Sequence, residues 1–503
     1  MLSTIQRYLL WPFVWLLLFS LVSQIKADDR TLRIAANGLP PEKGNPFSNT
    51  QTPSIYVTGG IFDGLTRLQT NGKLIPWLAT RWRNINPLTW EFTLRQDVVF
   101  SNGHPFNAEA VVTAVDYLVK PGPAIEGVRR NLSLLAGARA RATHVVEIIT
   151  EYPVPNLPQY MVSFWIPEPN AWLNMEREEF FEAPIGTGPF KIVSWEPHRA
   201  TLAAAPTSWR APKIESLEVL IIPDPSARIQ ALQSNRIDIT LLVIPDDIDS
   251  IEAAGGRVVS WIDASVSGIF LKTTKGTPLG DVRVRRALNM AVDRQTIVDL
   301  LLGGETVLSG QPAVRNAFGY DPTIAPYPYD PEAAKAILAE AGYTDGFSFT
   351  VETSLGGTNG SAVIQRVADD LSKIGITMKL RVLPTVAFLA NFARGLTEGD
   401  AFTMIWPAYP VLDTLQTMRL HSCLKPEGWY CDKRIMPLIK AAQVEWDTNR
   451  GIDLRRNINR FYHDEAPSIF LYETVFFAGL SARTRGFRNT FGYINYDEIE
   501  LLQ

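Results

Sequence analysis

The sequence predicts an α/β fold on three observations. Strand, helix and strand follow one another from Leu217 to Ile244: the apolar run LEVLIIP, the helix-spaced SARIQALQSNRIDI, then Leu241 to Ile244. A second such unit lies further on. Phe347, Phe349 and Val351 alternate, Val363, Val367, Leu371 and Ile374 recur at helical spacing, and Ile376, Met378, Leu380 and Val382 alternate again. Strand, helix and strand in that order make parallel strands joined by a right-handed crossover. Between the two units, Asp281 to Thr350 reads as helix, helix, long loop, helix, strand.

The caps define these helices. Asp281 precedes Val284, Ala287, Leu288 and Ala291, which share one helical face, and its carboxylate can satisfy free N–H groups of the first turn. Asp293 starts a short helix with Ile297, Val298 and Leu301, which stops at Gly303 and Gly304, where a left-handed turn has no steric cost. Asp330 with Pro331 at the first helical position opens a third helix, bearing Ala333, Ala334, Ile337 and Leu338 and closed by Gly342.

Nearer the N-terminus, Leu32 to Ala36 is a short apolar strand followed by the turn-rich GLPPEKGNPF. Trp90, Phe92 and Leu94 alternate as in a half-buried strand, Asn102 and Gly103 make a turn, and Asn107 begins a helix through Ala110, Val111, Ala114 and Leu118. The glycines of PIGTGPFKIVSWEP, Pro184 to Pro197, permit a tight backbone crossing, read as a connection between domains. PSIFLYETVFFAGLS is a further strand-like run near the end.

A chain of 503 residues exceeds one ordinary core and predicts two or three domains. With 46% hydrophobic and 20% charged residues it is globular in composition, and its formal net charge of −4 argues against nucleic acid, which selects a basic stripe. Residues 1 to 27 hold Arg7, an apolar run from Tyr8 to Val22 and the small Ala27 before two aspartates, the layout of a secretory signal cleaved after Ala27. The run is short of the ~20 residues a membrane span needs. Export to the periplasm follows. In an exported chain Cys423 and Cys431 pair with each other, and their spacing does not suit a zinc site.

No catalytic motif is present: there is no GxSxG, HExxH or GxxxxGK[ST], and His104, His144, His198, His421 and His463 are scattered singly. The sequence assigns no catalytic residue, metal or cofactor.

DVRVRRALNMAVDR, the GYDP loop, YPYDPEAAKAILAEAGY and DGFSF together resemble the core signature of the extracellular solute-binding proteins of family 5, the peptide, opine and nickel-chelate receptors of ABC importers. IFDGLTRLQTNGKLIPWLATRW, WEFTLRQDVVFSNGHPFNAEAVV and PIGTGPFKIVSWEP extend the resemblance. It implies a two-lobed periplasmic binding protein of the Venus-flytrap type, class II, with an extra inserted domain. The expected division is a signal peptide at 1–27, a discontinuous first lobe at 28–75, 185–275 and 480–503, an inserted small domain at 76–184, and a second lobe at 276–479. It also implies a monomer that closes on a small solute, oligopeptide by default, and hands it to an inner-membrane permease. An opine-like solute or a nickel chelate is the alternative ligand; an envelope enzyme or chaperone is the alternative from another class.

Residues 121 to 183 resemble the family least; there Arg129, Arg130, Trp165 and Trp172 either face a ligand or lie at the surface, the two arginines being read as a solvated face. Lys272 stands where asparagine is usual in the family. For the ligand site, the resemblance points to FTMIWPAYPVLDTLQTMRLHSC. Peptide receptors of the family follow a tryptophan with an aspartate that pairs with the ligand's ammonium. Here Trp406 matches the tryptophan, Tyr409 stands near the expected aspartate, and Asp413 is the carboxylate that follows. Trp406, Tyr409 and Asp413 are therefore the candidate ligand residues, with core packing as the alternative for the two aromatics. His421 is available for a nickel-chelate site, and family members often carry a cysteine loop like the one after it.

Overall fold

A computed structural model describes residues 30–48, 52–122, 126–354, 360–425 and 428–502. The predicted signal segment and its cleavage point lie outside them. One mixed sheet of ten strands runs through the molecule, in the order Ile376–Leu383, Phe347–Ser354, Ala401–Pro407, Arg257–Leu271, Ser468–Leu480, Ile239–Val243, Thr31–Ala36, Ser216–Ile221, Arg199–Ala204 and Phe190–Glu196. Each end of this sheet contains a parallel group. Phe347–Ser354 pairs in parallel with Ile376–Leu383 and Ala401–Pro407, and Thr31–Ala36 pairs in parallel with Ser216–Ile221 and Ile239–Val243. Two long antiparallel strands, Arg257–Leu271 and Ser468–Leu480, join the groups.

Both predicted βαβ units are present, with helices Pro225–Gln233 and Gly360–Ser372. The apolar alternation of the last strand is only partly buried: Ile376 and Met378 are covered, but Leu380 and Val382 are 39% and 48% exposed, because this strand is the edge of the sheet. The caps behave as read. Asp281 accepts from the Arg283 N–H at 2.8 Å, Asp330 from Ala333 at 2.9 Å and Asn107 from Glu109 at 3.0 Å. Asp293 accepts from Thr296 at 3.1 Å, but one α-helical turn, Arg294–Thr296, passes directly into a π turn, Ile297–Leu301. Gly303 and Gly304 close it with φ of 63° and 74°.

A separate antiparallel sheet, Ala79–Asn86, Thr89–Leu94, Val145–Thr150 and Leu135–Ala142, is covered by helix Ala108–Val119. The chain then returns through the glycine-rich connection. A Cβ on Gly186 would sit 2.1 Å from the Ile61 carbonyl oxygen, and one on Gly188 2.4 Å from that of Gly60. Only glycine allows that approach.

Trp165 and Trp172 are both fully buried, so neither lies at the surface. Trp172 is enclosed by Phe47, Tyr117 and Phe180 at ring distances of 4.9 to 5.2 Å, an aromatic cluster whose apolar area outweighs exposure of the indole. Arg129 is not a solvated side chain either. Its Nε donates to Glu126 at 2.7 Å and its Nη1 to the Tyr117 and Leu118 carbonyls, both at 2.9 Å. Arg130 is exposed, as read. The C-terminal tail returns to the first parallel group: Tyr496 packs on Phe190 at 5.6 Å, and Arg67 donates to Asn495 at 2.7 Å.

Candidate functional site

The two joining strands pair regularly at both ends and break register in the middle. Arg257 to Ile262 pairs with Val475 to Leu480, and pairing resumes at Val266 opposite Glu473. Asp263, Ala264 and Ser265 fall in the break, where an irregular segment re-aims side chains that a regular ladder would fix. They line the cavities that open there.

Three neighbouring cavities that share wall residues surround this break. The first, about 420 Å³, is walled by Trp261 and Asp263 of one joining strand, Glu473 of the other, Arg315 and Asn316 of the long loop, and Asn489 and Phe491 of the tail. A second, about 210 Å³, shares Trp261, Asp263 and Phe491 and adds Tyr56, Ile405 and Tyr409. The third, about 230 Å³, shares Ser265, Ile405 and Phe476 with the second and continues along Thr353 and Met404. The walls therefore come from both joining strands, the long loop, the strand Ala401–Pro407 and the C-terminal tail, and the Asn316 amide donates to the Thr70 carbonyl at 3.4 Å.

The electrostatics centre on two carboxylates. Glu473, nearly fully buried, accepts from the Arg315 N–H at 2.7 Å and lies 3.5 Å from that residue's guanidinium. Burial pushes its carboxyl up, and the backbone bond and charge of Arg315 oppose the shift. Asp263 accepts from the Ser265 hydroxyl at 2.8 Å and from the Ala264 N–H. Desolvation raises its carboxyl as well, and the Ser265 and Ala264 bonds oppose the shift. Its charge in turn adds to burial in pushing the Tyr56 phenol up.

Of the three candidate residues, Tyr409 lines the second cavity, while Trp406 and Asp413 lie outside the cavity walls in the layer beneath. Trp406 is fully buried, ringed by Phe270 at 4.9 Å, His421 at 4.6 Å, and Tyr462 and Phe470 at 5.5 Å, and its indole N–H donates to Ser468 at 3.1 Å. Asp413 is equally buried. Arg455 holds it with two bonds, 2.7 and 3.0 Å, Asn156 donates to it at 2.8 Å, and it caps helix Thr414–Met418 through the Leu415 N–H at 2.9 Å. The intervening loop folds back so that the Leu412 N–H, at a φ of 48°, donates to the Ala408 carbonyl at 2.7 Å.

Cys423 and Cys431 form the expected disulfide, whose loop carries Trp429 and Tyr430 onto this aromatic layer. His421 is buried within it. Its Nδ1 accepts from the Trp429 indole at 3.0 Å, its Nε2 lies 3.2 Å from the Ile405 carbonyl, and burial pulls its pKa down to about 3. That places it among the core groups rather than at a chelate site. Among the described residues no cluster of His, Cys, Asp or Glu is arranged to hold a metal ion. Lys272, the departure noted in the sequence, is buried at another cavity of about 170 Å³, with its ammonium on the Thr397 carbonyl.

Sequence reasoning missed Asp263, Arg315, Glu473 and Tyr56. The only local signal was for Asp263, a charge interrupting the apolar run VVSWIDASV.

Comparison with known proteins fits this architecture. The chain is 25% identical to a di/tripeptide-binding protein 2 of Pseudomonas aeruginosa, covering 94% of this chain and 95% of the relative. It is also 25% identical to the nickel-binding periplasmic protein of Escherichia coli, over 93% and 92% of the two chains. Among solved structures, the substrate-binding protein CtaP of Listeria monocytogenes superposes with a TM-score of 0.84 at 18% identity, covering 94% of this chain and 99% of that one. NikZ of Campylobacter jejuni, solved with Ni(L-His), gives 0.81 at 22% identity, with the same coverage. These likenesses support the two-lobed binding-protein fold. The family model described as bacterial extracellular solute-binding proteins, family 5 Middle, matches residues 73–418, and the chain belongs to that family of solute-binding proteins.

Proposed function

We propose that this chain is the periplasmic solute-binding subunit of an ABC importer and that its solute is a short peptide, held where the three cavities meet. The observation that carries the reading is the position of those cavities: they open at the register break of the joining strands, with Trp261, Asp263 and Phe491 on one wall and Arg315 and Glu473 on another, residues that fall on the two sides of the expected lobe division. A solute there touches both lobes at once. It therefore favours the closed arrangement by its differential contacts, and the closed form is what a permease can distinguish from the empty one. The di/tripeptide-binding relative supports the ligand class, and the cavity volumes suit a small organic ligand.

On this reading the first lobe is 28–75, 185–275 and 480–503, the inserted domain 76–184, and the second lobe 276–479. Tyr409 contacts the ligand. Trp406 and Asp413 act through it: the buried indole and the Asp413–Arg455 pair hold both ends of the loop that presents Tyr409. The chain is a monomeric receptor without catalysis of its own.

Native mass spectrometry of the protein purified from its own periplasm, with release and identification of bound material, tests the proposal. A ladder of short peptides is expected. One opine-like solute or nickel chelate would replace the peptide assignment and keep the receptor, and conversion of the released material on incubation would overturn the receptor reading.

A further inference from the structure

The cavities at the break differ in charge. Asp263, Arg315 and Glu473 line the first, whereas among the described residues no Asp, Glu, Lys, Arg or His lines the third, of about 230 Å³. Helix Gly360–Ser372 gives the third cavity Val363 and Ile364, helix Thr385–Ala393 gives it Phe388 and Leu389, and the sheet gives it Ile405 and Phe476.

The polar part of this wall is closed upon itself. The Thr403 hydroxyl donates to that of Thr353 at 2.9 Å, the Ser265 and Thr474 hydroxyls lie 2.9 Å apart, and Tyr472 bonds Ser267. These hydroxyls already have partners inside the protein and bring no net charge. An ion entering the cavity would give up its hydration and meet no counter-charge, a cost that an apolar group does not bear.

The apolar part, by contrast, is left uncovered. Leu389 is 49% exposed and Ile405 38%, and both line this one hollow. Single exposed aliphatic residues are ordinary, but two in a concave wall with Phe388 and Phe476 are surface that a guest can cover, and covering it favours binding. A cavity of about 150 Å³ already accepts a benzene ring, so the third cavity has room for an aromatic or branched aliphatic side chain.

We infer that the third cavity receives one side chain of the ligand and selects it for being uncharged and apolar. The inference rests on the peptide reading above and narrows it: the short peptides retained are those with a leucine-like or phenylalanine-like side chain at one fixed position. Leu389 and Ile405 are the residues that set this choice.

The test uses the full chain, stripped of ligand by unfolding and refolding. It is offered alanine tripeptides in which phenylalanine, leucine, lysine or glutamate replaces the first, second or third residue, and capture is read by native mass spectrometry. At one position the parent is expected to retain phenylalanine and leucine at least tenfold better than lysine and glutamate. Leu389→Glu places a carboxylate on the wall at an exposed site, where substitutions cost little stability. It should cut the preference for phenylalanine over lysine at that position at least tenfold and leave the choice at the other two unchanged. Ile405→Lys should do the same for phenylalanine over glutamate, and Leu389→Met should keep the parent's preference. A wall that mattered only to folding would not make the change follow the sign of the charge introduced. Equal retention of phenylalanine and lysine peptides at all three positions by the parent would overturn the assignment. So would an undiminished preference in either charged variant that melts like its parent. Capture of no tripeptide by the parent would instead bring down the peptide reading, and this inference with it.

Discussion

Two layers lie one above the other at the centre of this molecule, built from the same residue types and arranged to opposite ends. In the lower layer every charge is answered: Asp413 takes both arms of Arg455 and the Asn156 amide, and Trp406 and Trp429 each find a partner for the indole N–H. In the upper layer the half-buried Asp263 has hydroxyl and amide donors but no ion pair among the described residues, and Arg315 offers more donors than Glu473 takes. An aspartate beside aromatics is therefore not a ligand group by type. Whether its charge is already satisfied decides how much its loss costs the fold.

The sharpest way to break this contrast is to remove a partner from the lower layer. Arg455→Ala leaves Asp413 as a buried uncompensated charge and should cost about 3–5 kcal/mol of stability, measured by denaturant unfolding. Trp406→Ala should cost a similar ~3–5 kcal/mol through the cavity left among four aromatic rings. A direct ligand contact by this tryptophan, the candidate role read from the sequence, would instead give a loss of affinity with little loss of folding. Replacing Cys423 and Cys431 by serine should cost less, about 2–3 kcal/mol on the chain-entropy account, because the closed loop is short. Ligand affinity at saturating stability should stay within a few-fold of the parent.

The acid response of the lower layer has a definite sign. His421 is held neutral, with a pKa of about 3 against 6.5 for a free histidine. Below pH 6.5 the unfolded chain takes up a proton that the folded one refuses, so stability falls steadily as pH drops from 6.5 toward 3. Denaturant unfolding at pH 7 and pH 5 should show a smaller difference in His421→Gln than in the parent. The smallest effect on stability belongs to the upper layer: Tyr409→Phe, which removes a cavity-wall hydroxyl that bonds Tyr493, should cost about 1 kcal/mol of stability and lower peptide affinity a few-fold in calorimetry.

Much of the fold was legible because its signals are local. The Asp281, Asp293 and Asp330 caps and the alternation in Phe347 to Val382 act over a few residues, and each predicted element is present. The site was less so. Arg455 reaches Asp413 across 42 residues and Asn156 across 257, and nothing near Asp413 in the sequence announces either partner. Asp263 was obscured for the converse reason. Its significance lies in a break of register between two strands some 200 residues apart, a property of the pairing and not of the run that contains it. Tyr409 reaches a cavity wall although both ends of its loop are held from afar, Trp406 by Ser468 and Asp413 by Arg455 and Asn156.

The most direct test of the contrast compares two isosteric changes in ligand-free protein at pH 7, Asp413→Asn and Asp263→Asn, by thermal unfolding. Asp413→Asn should melt far below the parent, because Arg455 loses its counter-charge in a buried site. Asp263→Asn should melt at or above the parent, because it removes a charge that the empty protein leaves unanswered. Equal destabilisation by the two would contradict the account, for it would mean that Asp263 is held within the fold as firmly as Asp413.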